Sequence, residues 1–233
     1  SLVRKVKTAD KRVIASFAFL DGEGTKKILY LFQSTEAQLI DAVLIDPSDE
    51  FKSLTSVNPA LHLFEREIFE QYGMRPKGHP WLKPVRFVPA ITKDNTEEVK
   101  ECGNTRFFRL EGENVHEVAV GPVHAGVIEP GHFRFQCHGE IVYNLEISLG
   151  YQHRGIEETL IGGPNKRSLY EIEAASGDTT IGHVLAYCEN IEKLSGVTVP
   201  ERAAFLRSLA LELERLGNHT GDLGALSGDV GYL

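Results

Sequence analysis

The sequence predicts an α+β protein. Two separate runs of period-two hydrophobicity each carry turn residues between their arms, one well-capped helix lies in the first half, and long apolar stripes of helical period fill the last third. The implied layout is a small α/β domain over residues 1–90, a polar linker over 91–114, and a β-hairpin leading into the start of a helical bundle over 115–233.

The elements follow in chain order. RVIASFAFL and KKILYLFQ are rich in β-branched and aromatic residues, and DGEGT between them supplies a turn. A third apolar run, AVLID, stops at Pro47. Asn58 and Pro59 then read as the cap and first position of a helix. Leu61, Phe64, Ile68 and Tyr72 give that helix one buried stripe, and Gly73 ends it. RPKGHPWLKPVRFVP is too rich in proline for a regular helix or a central strand. The 91–114 stretch is polar and acidic around KDNTEEVKE, although FFRL near its end can still pack.

The second hairpin places Phe133, Phe135, Cys137, Ile141, Tyr143, Leu145, Ile147 and Leu149 at alternate positions, with His138–Gly139 at the turn. Arg134, Gln136, Asn144, Glu146 and Ser148 fill the other face, so the apolar face is expected inward. A helix from about Asp178 to Gly196 carries Ile181, Leu185, Cys188, Ile191 and Leu194 on one stripe. The next starts at Pro200 with Leu206, Leu209, Leu213 and Leu216 on its inner face.

Composition narrows the function. Of 233 residues, 42% are hydrophobic and 25% charged, an ordinary globular balance. No apolar run approaches the roughly 20 residues that cross a bilayer. The opening SLVRKVKTADK lacks the apolar core of a signal peptide, so membrane contact is expected only through a partner. A net charge of −8, from 33 acidic and 25 basic residues, argues against nucleic acid as a partner. The three cysteines, Cys102, Cys137 and Cys188, form neither a disulfide framework nor a C-x-x-C metal motif, and point to a reducing compartment. No glycine-rich phosphate loop, G-x-S-x-G elbow or H-E-x-x-H is present.

Three segments carry a resemblance. FEREIFEQYGMRPKGHP, from Phe64 to Pro80, resembles the signature of the C subunit of respiratory complex I. GPVHAGVIEPGHFRF with GEIVYNLEISLGYQHRGIEE, and LELERLGNHTGDLGAL from Leu211 to Leu226, resemble the D subunit and its relatives, the large subunits of membrane-bound nickel–iron hydrogenases. Their order is similar to the fused C/D large subunits of formate-hydrogenlyase type (group 4). The resemblance implies a C-subunit-like α/β domain ahead of the first part of a hydrogenase-large-subunit-type bundle. Since family members run well beyond this length, it also implies a piece of a longer protein.

Several residue roles follow from the resemblance alone. His124 matches the first of two histidines on the D-subunit hairpin, Ile128 stands where the second would be, and Glu129 matches a proton-relay carboxylate; His124 and Glu129 are the catalytic candidates. His153 and Arg154 match an H-R-G turn facing the proximal iron–sulfur cluster of a neighbouring small subunit, and His219 matches a histidine near the same cluster. For Arg154 a plainer alternative is capping a helix end or pairing with Glu157 or Glu158. Ser176 and Thr179 stand where the hydrogenase family has two nickel-binding cysteines, with His183 at the following histidine. Hydroxyls are poor ligands for nickel, so these three mark a degenerate metal site. Asp178 or Thr179 capping the next helix is compatible with that. His183 and Cys188, five apart on a helix, do not form a metal pair.

The resemblance therefore implies an oxidoreductase subunit of hydrogenase or NADH dehydrogenase type, peripheral on the cytoplasmic side of the inner membrane. Its partners would be an iron–sulfur small subunit and, through the complex, antiporter-like membrane subunits. The chain itself would bind no cofactor, the cluster would belong to the partner, and the isolated chain would be inactive. The alternatives are a non-catalytic scaffold in the same assembly, or the quinone-reducing subunit of an NADH dehydrogenase.

Overall fold

The computed structural model describes residues 11–34, 39–92, 102–124 and 129–232. Contacts divide the chain into two compact units, Ser1–Gln152 and His153–Leu233. Ile128 and the whole acidic KDNTEEVKE run lie outside the described residues.

The first unit opens with an antiparallel sheet of β1 (Lys11–Leu20), β2 (Lys26–Ser34) and β3 (Ile40–Ile45), with β2 central. Phe17 pairs with Leu29 and Leu29 with Leu44, so the pleat sends Ala18, Ile28, Tyr30 and Phe32 to the opposite, covered face. The DGEGT turn is held by Asp21, whose side chain accepts the amides of Glu23 at 3.0 Å and Thr25 at 2.9 Å. A short parallel pair joins β4 (Glu50–Lys52) to β5 (Arg75–Lys77).

Between them lies α1 (His62–Tyr72), preceded by a 3-10 turn at Pro59–Leu61. Asn58 Oδ1 accepts the Ala60 amide at 3.0 Å, and Gly73, at φ 70°, closes the helix in the left-handed region that glycine adopts without strain. Leu61 and Ile68 enter the core beside Phe51, Leu54 and Met74, while Phe64 and Tyr72 pack at its edge. The expected stripe is therefore the packed one.

A second antiparallel sheet comprises β6 (Val115–Val120), β7 (His132–His138) and β8 (Ile141–Ser148). Here the faces are reversed from expectation. Gln136 and Glu146 are 3% and 5% exposed, whereas Tyr143 and Leu145 are 63% and 47% exposed. The polar face has the better cover. Phe108 N–H donates to Glu146 at 2.9 Å, Leu110 N–H to Gln136 at 3.2 Å, and Lys83 forms an ion pair with Glu146. Arg134 adds a bond to Glu117 at 2.6 Å and lies 4.1 Å from the centre of the Phe107 ring. Alternation fixed the two faces; long-range polar contacts decided which was buried.

The second unit is helical: α2 (Ile156–Thr159), α3 (Ser168–Glu173), α4 (Thr180–Ser195) and α5 (Glu201–Asp229). Among the described residues of this unit only Ser168 is buried. Ile181, Leu185 and Cys188 of α4 line a groove of about 300 Å³ with Leu206 and Ala210 of α5. Leu209, Leu213 and Leu216 are exposed, contrary to their expected inner placement. The cause is rotation: α5 meets α4 through Arg207, Ala210, Leu211 and Glu214, which turns Leu209, Leu213 and Leu216 to its other side. No described helix is long and apolar enough to cross a membrane.

Candidate functional site

The residues around the expected site form tight local arrays. In the first unit, G-P-V-H and E-P-G-H are closed on each other through backbone. Gly131 N–H donates to the Pro122 carbonyl at 3.0 Å, His124 Nε2 lies 2.9 Å from the Gly131 carbonyl, and His132 Nδ1 lies 3.2 Å from the Gly121 carbonyl. A carbonyl only accepts, so His124 holds its proton on Nε2 and donates it there. The ring also meets Phe133 edge-on at 5.8 Å. Gly121 has φ 83°, and a Cβ on it would lie 2.0 Å from the Gly131 oxygen, so only glycine fits. Glu129 is exposed beside this closure.

In the second unit, the turn before α4 is gripped from α5. Glu214 accepts the amides of Ile181 at 2.6 Å and Gly182 at 3.1 Å, satisfying orphan donors at the helix start, and Asn218, one turn further on, donates to the Asp178 carbonyl. The side chain of Thr179 makes no cap bond. Capping by Asp178 or Thr179 is thus replaced by a carboxylate from α5, favourably placed against the helix dipole. His183 Nδ1 sits 2.8 Å from both the carbonyl and the hydroxyl oxygen of Thr179. The carbonyl requires the proton on Nδ1, which leaves the Nε2 lone pair as the accessible one. Ser176 precedes this turn in extended conformation.

Arg154 donates to the Ala174 carbonyl at 2.5 Å and to Ala175 at 3.0 Å, at the C-terminal end of α3. A guanidinium on terminal carbonyls matches the negative end of the helix. The capping alternative describes this contact. His153 is exposed on the same turn, and His219 is exposed on α5 next to Asn218. Ser176, Thr179 and His183 share one turn with the Asn218 contact, while His124 and Glu129 lie in the other unit. No group of three or more His, Cys, Asp or Glu suited to a metal occurs among the described residues.

The E-R-E helix holds anchoring residues whose contacts sequence reasoning missed. Glu65, wholly buried, accepts from Ser53 Oγ at 2.5 Å, Leu54 N at 2.6 Å and Thr55 Oγ1 at 2.7 Å. Arg66 donates to the carbonyls of Lys83 at 2.6 Å and Pro84 at 2.7 Å. Glu70 accepts the amides of Val85, Arg86 and Phe87 at 2.9, 2.9 and 2.7 Å. Arg66 and Glu70 thread the proline-rich segment past α1 and deliver Lys83 to Glu146 and to the Arg106 carbonyl, the latter at 2.6 Å. The only advance signal was a run of charges on a helix whose apolar stripe needed no such neighbours.

Residues 2–93 match the family described as Respiratory-chain NADH dehydrogenase, 30 Kd subunit. Hydrogenase-4 component G of Escherichia coli is 31% identical over 94% of this chain and 40% of its own length. Formate hydrogenlyase subunit 5 of the same organism is 29% identical, covering 88% of the chain and 39% of the relative. The C/D-type NADH-quinone oxidoreductase subunit of Bacteroides thetaiotaomicron is 27% identical, covering 88% of the chain and 45% of the relative. The chain therefore spans less than half the length of these relatives. Residues 2–93 are therefore a domain of the respiratory-chain NADH dehydrogenase 30 Kd subunit family, and along most of its length the chain is a homologue of these hydrogenase and NADH-quinone oxidoreductase subunits.

Proposed function

We propose that the chain serves as part of the large subunit in a membrane-associated hydrogenase-like or complex-I-like redox assembly, cradling the proximal iron–sulfur cluster of a partner small subunit and coupling electron transfer to proton movement, without a nickel site. The observation that carries this reading is the homology running through both units to subunits of that kind. Peripheral attachment on the cytoplasmic side of the inner membrane, with antiporter-like subunits in the same complex, belongs to the same proposal.

In this reading the gripped turns are positioning devices. Arg154, fixed by two carbonyls, holds a positive charge beside His153 on a short, rigid turn. Such a charge stabilises the reduced, more negative state of a nearby cluster. His219 would take up a proton as that charge arrives, and Glu129 with His124 would pass protons at the hairpin loop. Ser176 and Thr179 offer neutral oxygen where a nickel–iron centre needs thiolates, and the Thr179 hydroxyl already lies against His183, so the donor set does not suit nickel. The scaffold alternative draws on the same Arg154 contact, since an arginine engaged by two carbonyls needs no cluster to explain it.

One experiment separates them. In the assembled complex, Arg154→Met lowers the midpoint potential of the proximal cluster in an EPR redox titration, while Arg154→Lys restores part of it. Elemental analysis of the same preparation gives far less than one nickel per chain, and the isolated chain shows no turnover with reduced viologen. An unchanged potential favours the scaffold; stoichiometric nickel overturns the nickel-free reading.

A further inference from the structure

The turn that follows β5 contains an arrangement that none of these roles uses. The rings of His62, at the start of α1, and His79 stack with centroids 5.3 Å apart and planes inclined by 28°. The Trp81 backbone N–H donates to His79 Nδ1 at 3.0 Å, and His79 Nε2 lies 3.1 Å from the His62 carbonyl. An amide only donates and a carbonyl only accepts. His79 is therefore the neutral tautomer with Nδ1 bare and Nε2 protonated.

A further proton has one place to go, Nδ1, where it would face the Trp81 N–H head-on. We propose that His79 is a proton-operated latch: neutral, it ties Trp81 and the following loop to α1, and protonated, it expels the Trp81 amide and frees the turn. The movement has somewhere to travel. The Trp81 ring lies 4.5 Å from the Lys83 ammonium, and Lys83 reaches Glu146 and the Arg106 carbonyl. Opening the latch thus slackens the clamp on the polar face of β7 and β8.

The charged groups around His79 set the direction. From α1 it faces His62, Glu65 and Arg66, and along its own loop Lys83 lies beyond Trp81. Burial is the largest influence and lowers His79 below its ordinary 6.5; the His62 contact and Glu65 pull the other way, and Arg66 adds to the lowering. His62 is lowered likewise, first by burial and then by Arg66 and His79. Both rings are depressed in the folded state, so their contribution to stability is complete above about pH 6.5 and is lost as pH falls through their folded values.

Trp81 is the single tryptophan of the chain, so its emission reports the turn directly. The full chain, titrated from pH 8 to pH 5, shows one reversible shift in emission maximum with its midpoint below pH 6.5 and no change in far-UV circular dichroism. His79→Gln, which retains a donor and an acceptor but does not titrate, abolishes the shift. A flat wild-type titration, or the same transition in His79→Gln, overturns the latch. Should that variant not fold, nitrogen NMR of the wild type decides: His79 Nδ1 protonates together with loss of the Trp81 amide bond, and protonation that leaves that amide unmoved refutes the proposal.

Discussion

The two units of the chain are built on different principles. In the first, Ile28, Tyr30, Phe32, Leu61, Ile68 and Met74 are almost completely buried, and charged residues such as Glu65 are drawn in beside them with every bond supplied. In the second, no large side chain among the described residues is buried; its helices are joined by polar clamps at their ends, with leucines displayed along α5. The first unit carries the apolar burial that drives folding. The second carries amphipathic faces that gain little until another surface meets them.

The sharpest way to break this contrast is to truncate matched apolar residues. Phe32→Ala or Ile68→Ala is expected to cost about 3–4 kcal/mol in urea unfolding followed by Trp81 emission. Leu209→Ala on α5 is expected to change stability by less than about 0.5 kcal/mol. Comparable losses at both places would show that the α5 stripe is packed after all.

Polar anchors should divide the same way, with a smaller gap. Glu65→Ala strands three buried donors, each costing roughly 1–3 kcal/mol when left unmet, so even the low end of that range predicts a loss of about 3 kcal/mol in urea unfolding. The Arg207–Glu192 pair of the second unit has two good bonds, at 2.9 and 2.6 Å, and Arg207 holds the Glu192 carboxyl below its usual range. It is only half-buried, however, and water still screens it. Glu192→Ala should therefore leave the urea midpoint where it was, and a large shift would assign real burial to that contact.

A more local effect tests the helix clamp. Glu214→Ala removes the acceptor for two amides at the start of α4, a loss of about 1 kcal/mol on the scale of helix caps. It should appear as faster hydrogen exchange at Ile181 and Gly182, with the amide of Leu54 unchanged. Equal exchange at Ile181 before and after would show that water serves that helix end equally well.

Local signals made much of the first unit legible. The DGEGT turn, the Asn58 cap and the Gly73 stop are each decided within four residues, and the structure has all of them. Reading failed where the deciding partner was distant. Alternation in β7 and β8 marked two faces, but the cover came from Lys83 and residues 107–110, dozens of positions upstream. The cap on α4 came from Glu214, more than thirty positions downstream. Arg154, His124 and His183 could be singled out by residue type and resemblance. Their immediate partners are largely backbone carbonyls, which no side-chain pattern announces.

The grip of α1 on residues 83–87 has a consequence for how this region can change over evolutionary time. Arg66 and Glu70 bind carbonyls of Lys83 and Pro84 and amides of Val85, Arg86 and Phe87, so most of the segment's path is specified through its backbone, and Glu67 adds an ion pair to the Arg86 side chain at 2.8 Å. Proline is welcome at 84, where only an oxygen is required, and is barred from the next three positions, where a hydrogen must be offered. Phe87 even keeps a left-handed φ of 57°, a conformation that non-glycine residues hold only when their surroundings insist. Apart from those backbone demands, Lys83 and the Arg86 ion pair, the segment can vary its outward chemistry, and a lineage can re-letter this surface for a new neighbour while the frame beneath it stays constant.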